Sequence, residues 1–167
     1  MDQLRPSSRW RPIIVAWLLV VGVDLFFNAG VFTRLFDQSR EPGLLSDAVL
    51  FRRIPVTYLA LAVGVAALAW LFDRLDVKGS PRGTIYGGLA GVAVVLLGVI
   101  NLWAAIEMTG LFVASAALVQ IVELGAAGSF FGSYRVTATP KRRVRITMAI
   151  SLVLGILGVV IQNLLDR

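Results

Sequence analysis

Two carboxylates stand inside stretches otherwise built from apolar residues: Asp24 in VVGVDLFFNAG and Glu123 in LVQIVELGAAG. Each has an amide within one helical turn, Asn28 four residues after Asp24 and Gln120 three residues before Glu123, which places each pair on one face of a helix. Asn101 adds a third amide in another apolar run. Carboxyls beside amides can hold a proton, bind a cation, or close a hydrogen-bonded clasp between helices. No Lys, Arg or His stands at the same depth to neutralise them. Ionisable groups at hydrocarbon depth are costly and mark either a functional site or a satisfied interhelical pair. The two acids therefore face a watery cleft, or at least one is neutral and bonded to Asn28, Gln120 or Asn101. A polar clasp, a ligand or proton site, and a contact with a partner's polar residue all remain open at this level.

Catalysis finds little to work with. The chain has no Cys and no His, which excludes thiolate nucleophiles, His-ligated metals and haem, and a Ser-His-Asp triad. An aspartyl-type protease needs two membrane aspartates, and only Asp24 is available. Nucleotide-binding, zinc-protease and hydrolase-elbow motifs do not occur. The expectation is a non-enzyme without a cofactor or metal.

The elements that must position these residues follow from hydropathy. Of 167 residues, 57% are hydrophobic and only 16% charged, with mean hydropathy +0.81. A soluble domain carries about 25% charged residues, and a short chain cannot hide this much apolar surface from water. Five apolar segments, over 13–35, 55–72, 85–106, 111–132 and 146–165, each approach the roughly 20 residues that cross a ~30 Å hydrocarbon layer. The sequence predicts an all-α, polytopic membrane helix bundle forming a single domain over 1–167, with an outer loop over 36–54. That loop carries either a short surface helix before Pro55, with Ser46 as its cap, or an early start of the second span. Pro55 suits a first helical turn, and Gly110 is the expected turn residue between spans three and four. The first segment has a basic start (Arg5, Arg9, Arg11), but its A-x-A cleavage pattern is poor around Asn28-Ala29-Gly30, so it reads as a retained span.

Eleven Lys and Arg residues fall on the side of the N-terminus and five on the other, which predicts N-in, C-out orientation in a bacterial cytoplasmic membrane. The net charge of +6 is thus explained by loop placement and does not indicate nucleic acid. Trp10, Trp70, Tyr86 and Tyr134 read as an inner aromatic belt, and Phe36, Tyr58 and Trp103 as an outer one. In this frame Asn28 and Asn101 lie roughly 6–8 Å outside the midplane at ~1.5 Å per residue, above apolar inner halves. The polar group reads as a pocket open to the outer face.

Small residues set the remaining expectations. Gly83, Gly87 and Gly91 share one face of the third segment, and Gly128 and Gly132 one face of the fourth. Without a hydrophobic drive between helices in lipid, such faces bring backbones together, either within the chain or against a partner. Lys141, Arg142, Arg143 and Arg145 can meet anionic lipid headgroups. The leading functional expectation is an accessory or structural subunit packed on a larger membrane protein or on its own copies. The alternative is a small transporter or binder of an apolar or cationic molecule that uses Asp24, Asn28, Asn101, Gln120 and Glu123.

Overall fold

The computed structural model describes residues 10–33, 47–105 and 109–165. They form five helices: α1 (Trp10–Val31), α2 (Asp47–Arg74), α3 (Ser80–Ala105), α4 (Gly110–Tyr134) and α5 (Pro140–Leu165). No strand occurs among the described residues. All five helices are long and apolar enough to cross a membrane, α2 over Arg52–Arg74. Two are not uniform: α1 widens to a π-helix over Leu25–Val31, and α3 does so over Val95–Val99.

α1 and α4 form the centre. Against them lie α3, on the far side of α4; α5, on the far side of α1; and α2, touching both. The core is built from Val15, Ala16, Leu19, Val20 and Val23 of α1, Val65, Leu68 and Phe72 of α2, and Leu124, Ala127, Phe130 and Phe131 of α4. Phe72 and Phe131 meet edge to face at 6.2 Å. This apolar block occupies the half of the bundle that holds the start of α1 and the end of α4.

The longest contact is the antiparallel pairing of α3 with α4. Gly83 lies on Gly128 and Gly132, Gly87 on Leu124 and Gly128, and Gly91 on Gln120 and Ile121. Backbone touches backbone there: a Cβ at Gly83 would strike the carbonyl of Gly128, and one at Gly128 the carbonyl of Gly83. The Gly79 N–H donates to the Gly132 carbonyl at 2.8 Å, and the Ser80 and Ser129 hydroxyls meet at 2.6 Å, closing the seam at one end. Gly79 has φ 88°, a conformation that other residues rarely adopt, and its peptide sits where Gly132 leaves no side chain in the way. The glycine faces of the third and fourth segments therefore satisfy each other within the chain. A partner cannot use them without displacing α4.

α1 and α5 run parallel, with Gly22 against Ser151, and Leu25 and Gly30 against Gly158. The Ser151 hydroxyl donates to the Leu18 carbonyl. At the end of α2, Arg135 donates to the Phe72 carbonyl at 2.6 Å and pairs with the Asp73 carboxylate. This places a cation on the last turn of α2, where free carbonyls and the helix dipole favour it. Asp76 turns the chain at φ 46°, and its carboxylate bonds Lys78 at 2.6 Å, which holds the exposed acid below its ordinary range.

Two expectations change and one alternative is decided. Pro55 is not in a first turn: α2 starts at Asp47, so Pro55 lies inside the helix. Its missing N–H removes one bond to the preceding turn, a loss that membrane helices tolerate through local adjustment. The early-start reading of the second span holds from Asp47, and Ser46 lies outside the described residues. Gly110 is the first residue of α4 rather than the turn; the cap is Thr109, whose hydroxyl accepts from the Phe112 N–H at 3.3 Å. A side chain that caps the helix fixes its start better than glycine can.

A candidate site at the carboxyl pair

Asp24 ends the regular part of α1, at the residue where the π-helix begins. Such wide turns often occur at functional positions. The amide of Asn28 donates to Asp24 Oδ1 at 2.6 Å. The other oxygen, Oδ2, accepts from the Tyr58 hydroxyl of α2 at 3.2 Å. From α4, Glu123 comes close enough to the same carboxyl for the two acids to interact. Gln120 donates to Glu123 Oε2 at 3.5 Å, a long bond from one turn above. Three helices thus meet at one pair of acids.

Burial grades across the group. Glu123 keeps only 2% of its surface, whereas Asp24, Asn28, Tyr58 and Gln120 are partly buried. Below the pair is the apolar core. On the other side, toward the C-terminal end of α1 and the start of α4, lie Asn28, Gln120 and the buried polar residues Thr33 and Ser115. The Ser115 hydroxyl donates to the Phe112 carbonyl at 2.8 Å. Trp17 braces the junction by donating its indole N–H to the Tyr58 carbonyl at 2.9 Å. Among the described residues the only ion pairs are Lys78–Asp76 and Arg135–Asp73, so no cation compensates Asp24 or Glu123 there. Two neighbouring carboxyl groups repel as bare anions in surroundings that solvate charge poorly, and a proton or a bound cation between them relieves that repulsion.

Of the five polar residues singled out from the sequence, four come together. Asn101 does not: it is exposed on α3 and its amide bonds the Leu97 carbonyl of its own helix at 2.6 Å. Position explains this, since α3 touches α4 through its glycine face and leaves Asn101 on the outside. Tyr58 is the residue that sequence reasoning misses. It reads as an outer-belt aromatic, yet its hydroxyl turns to Asp24. The available signal is a membrane carboxylate with a second oxygen still in need of a donor, but spacing alone does not say which helix supplies it. Among the described residues no group of three or more His, Cys, Asp or Glu is placed to hold a metal.

The basic run stands at the start of α5, with Lys141, Arg142 and Arg145 exposed and Arg143 partly buried. The Nε of Arg143 meets no acceptor among the described residues. Cations in a first turn oppose the helix dipole, at about 0.3–1 kcal/mol each when exposed, so the run is not there for the stability of α5.

No family model matches the chain, and neither does any curated protein or solved structure. Fold and site together define, among the described residues, an all-helical bundle of five membrane-length helices around two acids, Glu123 buried and Asp24 partly buried.

Proposed function

We propose that the protein is a five-span, non-catalytic integral membrane protein of a bacterial-type cytoplasmic membrane, and that it takes up a small cation at Asp24 and Glu123. The proton is the smallest member of that class and serves as the resting occupant. The observation that carries the reading is that the donors of Asn28 and Tyr58 on Asp24, and of Gln120 on Glu123, gather two neighbouring acids from α1 and α4 without a compensating Lys or Arg among the described residues. A bare acid near mid-depth costs about 2.5–3.5 kcal/mol on insertion scales, and one positive charge shared by the pair removes most of that cost. In an N-in, C-out orientation the partly buried polar residues face outward and the apolar core closes the inner side, so the cation enters from outside. Asn28, Tyr58 and Gln120 supply further oxygens or donors that orient the pair.

The test uses the protein in lipid vesicles, with sidedness read by labelling Thr109→Cys and Ala138→Cys in a chain that has no cysteine of its own. Infrared spectra follow the protonated-carboxyl band as sodium, ammonium or tetramethylammonium is added outside. Loss of that band in the wild type, and its absence from Glu123→Gln beforehand, supports the reading. A band that no cation and no pH change can move sinks it.

The accessory-subunit reading keeps one observation in its favour. Gly64 of α2 and Gly88 and Gly98 of α3 have nothing within 4 Å of where a side chain would begin, so small residues do face outward. Stoichiometric recovery of a larger membrane protein with the intact chain, lost on bulky substitution of Gly88, would favour that reading over the cation site.

A further inference from the structure

We propose that the groove between α1 and α5 holds an acyl chain of an anionic phospholipid whose headgroup sits at the N-terminal ends of both helices. This goes beyond the acid pair and shares with it only the membrane-spanning reading. The groove has a volume of about 430 Å³ and is walled by Leu18, Gly22 and Leu25 on α1 and by Leu152, Gly155 and Ile156 on α5. Its shape follows from the glycines. Gly22 and Gly158 bring the two backbones together, while the place of a side chain at Gly155 is open except for Leu25 Cδ1 at 3.6 Å. Its walls are almost wholly apolar, and Leu152 and Ile156 are exposed. A flexible hydrocarbon fills such a trough better than water does.

The choice of an anionic lipid rests on charge placed in register with the walls. Residues seven and eleven apart share a helix face. Arg11 therefore stacks above Leu18 and Gly22, Arg145 above Leu152 and Ile156, and Lys141 above Leu152. Because α1 and α5 run parallel, these three exposed cations crown the same end of the groove, one wall contributing Arg11 and the other Lys141 and Arg145. Arg11 and Arg145 lie about 10 Å along the axis from the first residue below them on the wall, the separation of a headgroup phosphate from the middle of its chain. The start of α5 also turns the positive end of its helix dipole toward an anion there. Among the described residues at the other end of α5, Gln162 and Asn163 carry no charge.

The experiment is native mass spectrometry of the full-length protein released from nanodiscs containing equal phosphatidylglycerol and phosphatidylcholine of one chain length. The wild type is expected to retain phosphatidylglycerol over phosphatidylcholine by about tenfold or more, given the attraction of basic residues for anionic lipid. Combined Arg11→Gln, Lys141→Gln and Arg145→Gln should bring the two lipids level. Gly155→Leu, or Leu152→Trp if the former fails to fold by circular dichroism, should lose both. Equal retention by the wild type would overturn the proposal, as would undiminished phosphatidylglycerol on a folded, groove-filled variant. A lipid-free dimer would overturn it too, by assigning the groove to a second copy. Asp24→Asn should retain lipid like the wild type, so failure of the cation site and failure of the lipid site read out separately.

Discussion

α4 is the meeting line of two junctions made by opposite means. On one face, Leu124, Gly128 and Gly132 let α3 come to backbone contact, with no charge involved and one hydroxyl pair, Ser80 with Ser129, at the end of the seam. On the other, Glu123 meets Asp24 of α1, which also bonds Tyr58 of α2, and the fit depends on which atoms donate and which accept. Neighbouring residues, 123 and 124, serve the two. In lipid, where apolar burial does not draw helices together, the first junction gains by dispersion and close approach and the second by satisfying polar groups. The first is stated by its absences and the second by its partners.

The contrast is broken most severely at the glycines. Gly83→Val puts a branched side chain where the Gly128 carbonyl lies, and backbone cannot yield as a flexible side chain would. A loss of about 3 kcal/mol, the upper end for overpacking, is expected in unfolding by SDS titration. Gly88→Ala, one residue beyond the seam's Gly87 and in open space, is the control. It should be neutral or stabilise by up to about 1 kcal/mol through helix propensity. If Gly83→Val is as harmless as Gly88→Ala, shape does not govern the α3–α4 junction.

Tyr58→Phe sharpens the polar side of the comparison. It removes one hydroxyl donor from Asp24 and keeps the ring, so a loss of about 1 kcal/mol is expected in the same titration. Its distinguishing readout is the infrared band of the carboxyl pair, which should shift in Tyr58→Phe and stay fixed in Gly83→Val at denaturant levels where both are folded. A band that ignores Tyr58 would reduce the hydroxyl to a bystander.

The smallest effect belongs to the exposed turn between α2 and α3. Lys78 holds the Asp76 carboxyl below its ordinary value of 3.8. A lowered folded value adds stability above the unfolded one and loses it as pH falls through the folded one. Asp76→Asn should therefore cost almost nothing at neutral pH, because both partners are solvated. Whatever deficit appears should begin to fade below about pH 4 and be gone once pH has fallen through the lowered folded value. A melting temperature that drops sharply at pH 7 would show that the pair does more than its exposure allows.

The two junctions also differ in how far the sequence discloses them. Glycines at every fourth position on adjoining segments joined by a short connection leave few ways to pair, and Gly83, Gly87, Gly128 and Gly132 meet as that spacing allows. Hydropathy likewise marks the five long apolar helices, because their length and composition are local properties. The acid pair is only half legible. Asp24 with Asn28 and Gln120 with Glu123 are local and can be read off a helical repeat. That the two sets touch depends on which faces of α1 and α4 oppose, and that Tyr58 joins them depends on a third helix. Asn101 shows the limit from the other side, for its residue type is right and its face is wrong. Pro55 shows it too, since a residue that favours a helix start is carried here inside one.

The wide turn at Leu25–Val31 settles how one helix can serve two neighbours. Gly22 and Gly30 both touch α5, at Ser151 and Gly158, although eight residues of regular helix would rotate them about 80° apart. The π-helix advances less per residue, and so returns Gly30 to the azimuth of Gly22 while Asp24 and Asn28 still point away toward α2 and α4. It works as a phase corrector, a gear with one tooth more than its neighbours. Excising a single residue from Leu25–Ala29 would leave seven steps between the two glycines, which a regular helix turns to within about 20° of two full turns, so the side chains beyond it would stay in step without the wide turn.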